Sequence, residues 1–359
     1  MKKKNKNITE IQILRALAFI FVMLQHSLGS TPGNYNLANG KVLLGGFLVT
    51  FAEPAVPIFL FISGLTLTYS YKDKLDVKKY YKNRFLYLIV PYFLWSFINM
   101  KLHNPEKLEN FFMQTIAGNG MFHLWYMGMI IRMVIIFPIL LYIGKFINRR
   151  NHFIKISTFI GIFIGYHYVS ANQGVIQDTV GKILFNNPTE LQMRAISLSI
   201  LFWSFYLIMG MFAGFNYDTF KEKTIKYRYI IYGMFIMFYI YKFQVRYGAT
   251  DYDRTYDILY RSSNILFFYL MSIKLLDYLR FSNILQFIGK YSYAAYMIHI
   301  YILYQVIFGL QGIGIKGEVI NAVLSCGIAS LLAPLIIYLI SFIPKSKIIT
   351  GVEVSKNIK

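Results

Sequence analysis

The sequence is poor in cysteine and in acidic residues, and both shortages exclude kinds of site. Of its 359 residues one is cysteine, Cys326, and 16 are acidic against 37 lysines and arginines. A single cysteine excludes an intrachain disulfide framework and a cysteine-based metal site. The sequence also has no glycine-rich nucleotide loop, HExxH zinc pattern or GxSxG elbow. We therefore predict neither a bound metal nor a permanently bound cofactor.

Apolar residues are what the chain has in excess. They make up 56% of the sequence, 18% is aromatic, and the mean hydropathy is +0.47. Apolar runs of about 18 residues or more recur along the whole length, which is typical of an all-α, polytopic integral membrane protein. Abundant lysine, isoleucine, asparagine and tyrosine are typical of low-GC bacteria. We expect a multi-pass protein of a bacterial plasma membrane.

The net charge of +21 follows an alternating pattern. Lysines and arginines concentrate in the N-terminal tail and in every second segment between the apolar runs, including 72–84 and 145–155. The positive-inside rule then places both termini in the cytoplasm. We interpret the basic excess as an orientation signal that also attracts anionic lipid in the bilayer. It does not indicate a nucleic-acid partner.

The apolar runs predict about ten membrane spans. They form one transmembrane domain over 1–344, followed by a short basic cytoplasmic tail, 345–359. We expect the first span to be retained rather than cleaved as a signal peptide, and a long polar outer loop over 171–193. The predicted spans are 11–28, 43–70, 85–100, 122–144, 153–170, 196–215, 229–245, 258–276, 291–308 and 319–343.

Two ionisable residues, Arg15 and His26, lie inside the first span. Ionisable side chains in a span are costly, and they usually face a protein interior or cavity and carry function. Eleven residues at about 100° each place both on one helix face, about 16 Å apart along the axis. An arginine that reaches the head groups and a histidine that caps the span would show the same spacing.

Two further charged residues are candidates. Arg84 lies at the cytoplasmic end of the third span, where a guanidinium suits the phosphates of a cytosolic cosubstrate. A plain positive-inside anchor is the other reading of this residue. Glu53 precedes Pro54, and with Pro57 this pair predicts a broken helix lining a cavity. Its carboxylate would orient His26 or a substrate hydroxyl, or lie solvated at the outer mouth of the span.

Aromatic and histidine residues in the fourth and ninth spans are the remaining candidates. His123, Trp125 and Tyr126 lie at an outer interface, where they form either an aromatic belt or a platform for sugar rings. His299 follows Tyr293 in the ninth span. The sequence offers His299 no partner within one turn of helix, so we interpret it as a histidine of the protein interior.

Five segments, taken in order, resemble the membrane acyltransferase-3 family. Arg15 and His26 match its R-x10-H signature in the first span. Segment 57–65 resembles its P-x-F-F-x-I-S-G-F element. The basic run Lys79–Tyr92 resembles its R-x-x-R-I-x-P-x-Y element and keeps the second arginine as Arg84, with Tyr80 or Tyr81 at the first. The other two are H-L-W-Y at 123–126 and G-K-Y-S-Y-A-A-Y-M-I-H at 289–299.

The resemblance implies an integral membrane O-acyltransferase of surface glycans. Such proteins take an acyl group, usually acetyl, from cytosolic acyl-coenzyme A and deliver it to a hydroxyl of an extracytoplasmic or lipid-linked polysaccharide. His26, Arg15 and Glu53 would then be catalytic. Arg15, Arg84 and Lys79 would hold the coenzyme. The acceptor would be seated by His123, Trp125, Tyr126, Tyr293 and His299.

Two other functions fit the same sequence. A broken helix and a polar interior also suit an exporter of a polysaccharide or lipid-linked sugar. A non-catalytic partner of a polysaccharide synthase is the third possibility. If the chain is an acyltransferase, we expect the transmembrane unit to complete the transfer itself or to hand the acyl group to a separate protein.

Overall fold

A computed structural model describes residues 8–29 and 40–352, without the side chains of 40–42. The fold is 86% helical, and the described residues form no strand. The prediction of an all-α protein is confirmed. The α-helices are α1 (Thr9–Leu28), α2 (Gly40–Ala52), α3 (Ala55–Tyr71), α4 (Val77–Arg84), α5 (Val90–His103), α6 (Phe111–Ile116), α7 (Trp125–Asn148), α8 (His152–Ala171), α9 (Gln173–Phe185), α10 (Glu190–Ser197), α11 (Ser204–Phe215), α12 (Tyr217–Lys226), α13 (Arg228–Arg246), α14 (Arg254–Lys274), α15 (Leu279–Gly312), α16 (Glu318–Ile340) and α17 (Ser346–Thr350).

Seven helical segments of the described chain are long and apolar enough to cross a membrane. The predicted count of about ten is therefore not confirmed. The predicted sixth span contains α11, which is apolar but only 12 residues long. The seventh and eighth correspond to α13 and α14, which are not among the seven segments. The seven segments are Thr9–Leu28, Leu43–Tyr71, Val77–His103, Phe122–Asn148, His152–Ala171, Leu279–Gly312 and Glu318–Ile340.

The chain around Glu53 confirms one prediction, and the segment after α8 corrects another. Helix α2 ends at Ala52 and α3 begins at Ala55, so the second span is broken where Glu53-Pro54 predicts. The predicted loop over 171–193 is wrong, because α9 occupies most of it. Val175, Ile176, Val180 and Ile183 recur at helical spacing there, which favours a helix despite the polar residues between them. The extreme termini, whose cytoplasmic placement is predicted, lie outside the described residues.

The described helices divide into two compact units, and the division falls within α3. Unit 1 runs to Ile62 and resumes over Asp218–Ser346; unit 2 comprises Ser63–Tyr217 with Lys347–Gly351. In unit 1, α1 packs along α15, α16 and α14, so the helix that carries Arg15 and His26 is central to this unit. In unit 2, the hydroxyls of Tyr80 and Tyr81 donate to the carbonyls of Val134 and Ile135, both at 2.8 Å, and fasten α4 to α7.

A single glycine sets the approach of α1 and α15. A Cβ added at Gly289 would lie 2.0 Å from the backbone oxygen of Gln12, a distance that real Cβ atoms essentially never show. Close crossings of this kind at small residues are typical of membrane helices. Gly289 therefore allows α15 to approach the backbone of α1 closely at Gln12.

We expect Gly289→Ala to destabilise unit 1 by about 1–3 kcal/mol, because overpacking a tight contact forces the backbones apart. The measurement is the thermal unfolding midpoint of the purified protein in detergent. Gly309→Ala is the matched control, since Gly309 lies in the same helix with nothing within 4 Å of an added Cβ. Equal midpoints for the two variants would contradict the assignment.

Candidate functional site

The structure brings two histidines of unit 1 together. His26 lies in the last turn of α1 and His299 in the middle of α15. Their ring centroids are 5.3 Å apart with an interplanar angle of 39°. His299 is fully buried, whereas His26 is half-buried and is therefore the member of the pair that a substrate can approach. The sequence motifs contain both residues, but only the fold makes them neighbours.

The surroundings of His299 fix its ring. Its Nδ1 lies 2.5 Å from the carbonyl oxygen of Tyr296, one turn earlier in α15. The ring of Phe19, in α1, meets it edge-on at 6.2 Å between centroids. In the tautomer with the proton on Nδ1, this N–H donates a hydrogen bond to the carbonyl, and Nε2 is an acceptor. The held ring of His299 can therefore position the neighbouring imidazole of His26.

Arg15 is half-buried in the same continuous helix as His26. The described helix runs unbroken from Thr9 to Leu28, so the predicted geometry of one face and about 16 Å of axial separation applies. Tyr293, another predicted substrate contact, is half-buried on α15, two turns before His299. Unit 1 therefore holds Arg15, His26, Tyr293 and His299 on α1 and α15.

The break between α2 and α3 is tied to the histidine end of α1. Gln25 Nε2 donates a 2.6 Å hydrogen bond to the carbonyl of Ala52, the last residue of α2. A carbonyl at a helix end needs such a donor, because no later N–H of its own helix reaches it. The residue before His26 therefore contacts the residue before Glu53.

The carboxylate of Glu53 lies among three cations of α13 and α14. Its Oε2 accepts from Arg246 at 2.8 Å, and its Oε1 lies 2.9 Å from Lys242 Nζ and 3.5 Å from Arg261. Arg246 also donates from Nε to Thr50 Oγ1 at 2.7 Å. These contacts hold the helix break against α13 and α14. The predicted contact of Glu53 with His26 or an acceptor stays a prediction.

A second carboxylate completes what we call the ionic cluster: Glu53, Lys242, Arg246, Asp257 and Arg261. Asp257 Oδ1 lies 2.6 Å from Lys242 Nζ, and its Oδ2 accepts from Arg261 Nε at 2.9 Å. The side chain of Asp257 is only 5% exposed. Three cations thus face two carboxylates, and Lys242 bridges both acids.

In unit 2, two of the three predicted coenzyme residues, Lys79 and Arg84, lie on α4. Arg84 packs over the ring of buried Tyr80, with 5.1 Å from its guanidinium carbon to the ring centroid. Arg84 Nε is buried and finds no hydrogen-bond acceptor among the described residues. The side chain of Lys79 is exposed, and its backbone N–H donates to Asp76 Oδ1 at the start of α4. The Arg84 side chain is therefore oriented by its packing on Tyr80, and the Lys79 side chain is exposed.

A π-helical turn, Phe85–Ile89, follows Arg84 directly and joins α4 to α5. Val90 N–H donates to the carbonyl of Phe85, five residues earlier. Pro91 has no N–H and its ring would crowd the carbonyl four residues before it, so the widened turn relieves that conflict. Such turns are rare and occur frequently at functional sites.

The predicted sugar platform of unit 2 is largely buried. His123 is 1% exposed and Tyr126 is 7% exposed, at the start of α7. The ring of Trp125 packs against that of Trp203 with centroids 5.0 Å apart. Gly118, with φ of +63°, allows the loop before α7 to pass over the backbone of Trp125. Trp125 is half-buried and is the member of this group best able to meet a ligand.

Comparison with known proteins identifies the family. A family model described as an acyltransferase domain, that of the acyltransferase-3 family, matches residues 8–340. The chain belongs to the acyltransferase-3 family. The match includes every predicted site residue and extends past the region 10–300 in which the sequence motifs lie. With seven long apolar helical segments among its described residues, this acyltransferase-3 protein is a multi-pass membrane protein.

Several curated proteins are similar to this acyltransferase-3 chain over most of their length. One is a probable poly-beta-1,6-N-acetyl-D-glucosamine export protein of Staphylococcus aureus strain MSSA476, 24% identical over 82% of each chain. Another, of Staphylococcus epidermidis, carries the same name and is 25% identical over 84% of this chain and 82% of its own. No solved structure matches the chain.

Sequence reasoning missed the ionic cluster of this acyltransferase-3 protein. Of its five residues, only Glu53 was among the candidates from the sequence. One signal was available: Lys242/Arg246 and Asp257/Arg261 are both spaced i, i+4, so each pair lies on one helix face. That signal does not reveal that the two faces meet Glu53. Arg132, a further charged residue inside the predicted fourth span, donates to the carbonyls of Ile116 and Ala195.

Proposed function

We propose that the protein is a membrane O-acyltransferase acting on a surface polysaccharide. It moves an acyl group, acetyl in the simplest case, from cytosolic acyl-coenzyme A to a hydroxyl of an extracytoplasmic or lipid-linked glycan. The observation that carries the proposal is the His26–His299 pair, 5.3 Å between centroids, in a chain whose residues 8–340 match an acyltransferase domain. The names of the relatives point to an N-acetylglucosamine polymer as the acceptor.

His26 is the general base in this proposal. It removes the proton from the sugar hydroxyl as the oxygen attacks the thioester carbonyl, and the carbon–sulfur bond then breaks. The proton passes from the imidazolium to the departing thiolate, so the base is restored. His26 as a transient acyl carrier is the variant in which its own nitrogen attacks first. In both, His299 is a positioning residue.

Arg15, Arg84 and Lys79 bind the phosphates of the cosubstrate in this proposal. Guanidinium groups suit phosphate because they offer paired donors in a fixed plane. The buried Arg84 Nε, which has no acceptor among the described residues, supports this role for α4. Coenzyme A is a cosubstrate here and leaves after each transfer. Half-buried Trp125 and Tyr293 contact the glycan in this proposal, and the buried His123 and Tyr126 are positioning residues. Glu53 orients His26 or the acceptor hydroxyl.

An exporter is the second candidate, because the relatives are named as probable polysaccharide export proteins. The broken α2–α3 segment beside an ionic cluster fits a carrier as well as an enzyme. A polysaccharide synthase is the expected protein partner in either case, with a separate acyl-accepting protein as the alternative. The bacterial plasma membrane is the proposed location.

Reconstitution in liposomes distinguishes the two candidates. The purified protein is given radiolabelled acetyl-coenzyme A or succinyl-coenzyme A together with short oligomers of β-1,6-linked N-acetylglucosamine. We expect label to appear in the oligomer only when protein and acyl donor are both present. Movement of unlabelled oligomer across the bilayer without any acyl donor, and without label transfer when the donor is added, would favour the exporter and overturn the proposal.

A further inference from the structure

An apolar groove lies within unit 2, away from every residue assigned above. It has a volume of about 80 Å³, and its walls are almost entirely apolar. We call it the α7–α11 groove. Helices α7, α8 and α11 line it, with side chains that include Ile143, Asn148, Ile162, Ile208 and Phe215.

Gly144 in α7 and Phe215 in α11 meet closely in the wall of the groove. A Cβ at Gly144 would lie 2.7 Å from the ring of Phe215, so any larger residue there would push this ring or fill the groove. Ile143 beside it is 48% exposed, and only 6% of the apolar stretch of α8 is buried within the protein. In a membrane protein such a surface faces lipid. The natural occupant of an apolar groove there is an acyl chain.

One end of the groove is polar and strongly cationic. Asn148 ends α7, and its Oδ1 accepts a 2.8 Å hydrogen bond from Asn216 Nδ2 just beyond α11. Arg149 and Arg150 follow Asn148, both exposed, and Arg150 packs 4.2 Å over the ring of Phe146. The start of α8 adds the positive end of a helix dipole. The positive-inside rule places this end at the cytoplasmic leaflet, which is rich in anionic lipid.

We propose that the α7–α11 groove binds one acyl chain of an anionic phospholipid whose phosphate lies against Arg149 and Arg150. The groove supplies an apolar slot for the chain, and the arginines supply charge complementarity for the head group. Because all of these residues lie in unit 2 and none is assigned to acyl transfer, the site is independent of the proposed function. A phospholipid in this site is a specifically bound structural ligand and not a freely exchanging lipid of the bilayer.

Native mass spectrometry tests the site. Protein in detergent is mixed with dioleoyl phosphatidylglycerol and dioleoyl phosphatidylcholine in equal amounts, and the lipids retained are counted. We expect the wild type to retain one phosphatidylglycerol molecule. The groove-filling variants Ile208→Trp and Gly144→Leu should bind this lipid at least tenfold more weakly than the wild type. Gly161→Leu is the control, because it adds a side chain to α8 where nothing lies within 4 Å of the new Cβ, and it should retain the phosphatidylglycerol.

The double variant Arg149→Gln/Arg150→Gln separates the head group from the chain. It leaves the groove intact, so we expect it to bind both lipids but to lose the preference for phosphatidylglycerol. Arg228→Gln/Arg280→Gln, two exposed arginines of unit 1, is the matched control. Inorganic phosphate should not displace the lipid. Equal retention by wild type and both groove-filling variants, or displacement by free phosphate, would overturn the proposal.

Discussion

Replacing His26 by alanine should lower acyl transfer by about 10²–10⁴-fold, the contribution typical of a positioned general base. The ring of His26 is half-buried at the end of α1 and rests against buried His299. Removing it takes away the base without disturbing the crossing of α1 and α15 at Gly289. The loss should therefore appear in kcat rather than in the KM for the acyl donor. The measurement is label transfer from acetyl-coenzyme A in liposomes.

The histidines of the chain provide matched controls for this loss. His152→Ala removes an exposed histidine at the start of α8 and should leave transfer unchanged. His299→Ala should reduce transfer less than His26→Ala does, because His299 acts through its neighbour. Protein mass after incubation with donor alone separates the two roles of His26: an added acetyl group absent from His26→Ala identifies a carrier. Full transfer by folded His26→Ala would rule out both.

The sequence predicts the parts of this site that depend on local pattern. The R-x10-H spacing places Arg15 and His26 on one helix face, and the Glu53-Pro54 pair predicts the break between α2 and α3. Both follow from helical periodicity and from the missing N–H of proline. The prediction of an all-α chain rests on the apolar runs in the same way.

Contacts between distant segments could not be predicted in this way. His299 and His26 are 273 positions apart in the sequence, and their contact depends on the packing of α15 along α1. Helices α13 and α14 match the predicted seventh and eighth spans, but the ion pairs that bury Lys242 against Glu53 and Asp257 could not be predicted. The helix α9 was missed because polar residues interrupt its apolar face.

The ionic cluster should be the most sensitive structural feature of unit 1. Asp257→Asn leaves Lys242, Arg246 and Arg261 facing one carboxylate, and removing one partner of a buried pair costs about 3–5 kcal/mol. We expect a matching fall in the free energy of unfolding in detergent. Asp251→Asn, an exposed carboxylate between α13 and α14, should change it by less than about 0.5 kcal/mol. A similar small change in Asp257→Asn would show that the cluster contributes nothing to stability.

Charge balance separates the structural role of the cluster from a role of Glu53 in transfer. Lys242 bridges both acids, so Lys242→Met combined with Asp257→Asn removes one charge of each sign and should recover part of the lost stability. Glu53→Gln and Asp257→Asn are then compared for acyl transfer at a temperature where both are folded. If Glu53 acts only by holding the break between α2 and α3, the two variants lose transfer equally. A larger loss in Glu53→Gln, with unchanged KM for the acyl donor, is the result expected if its carboxylate orients His26 or the acceptor hydroxyl.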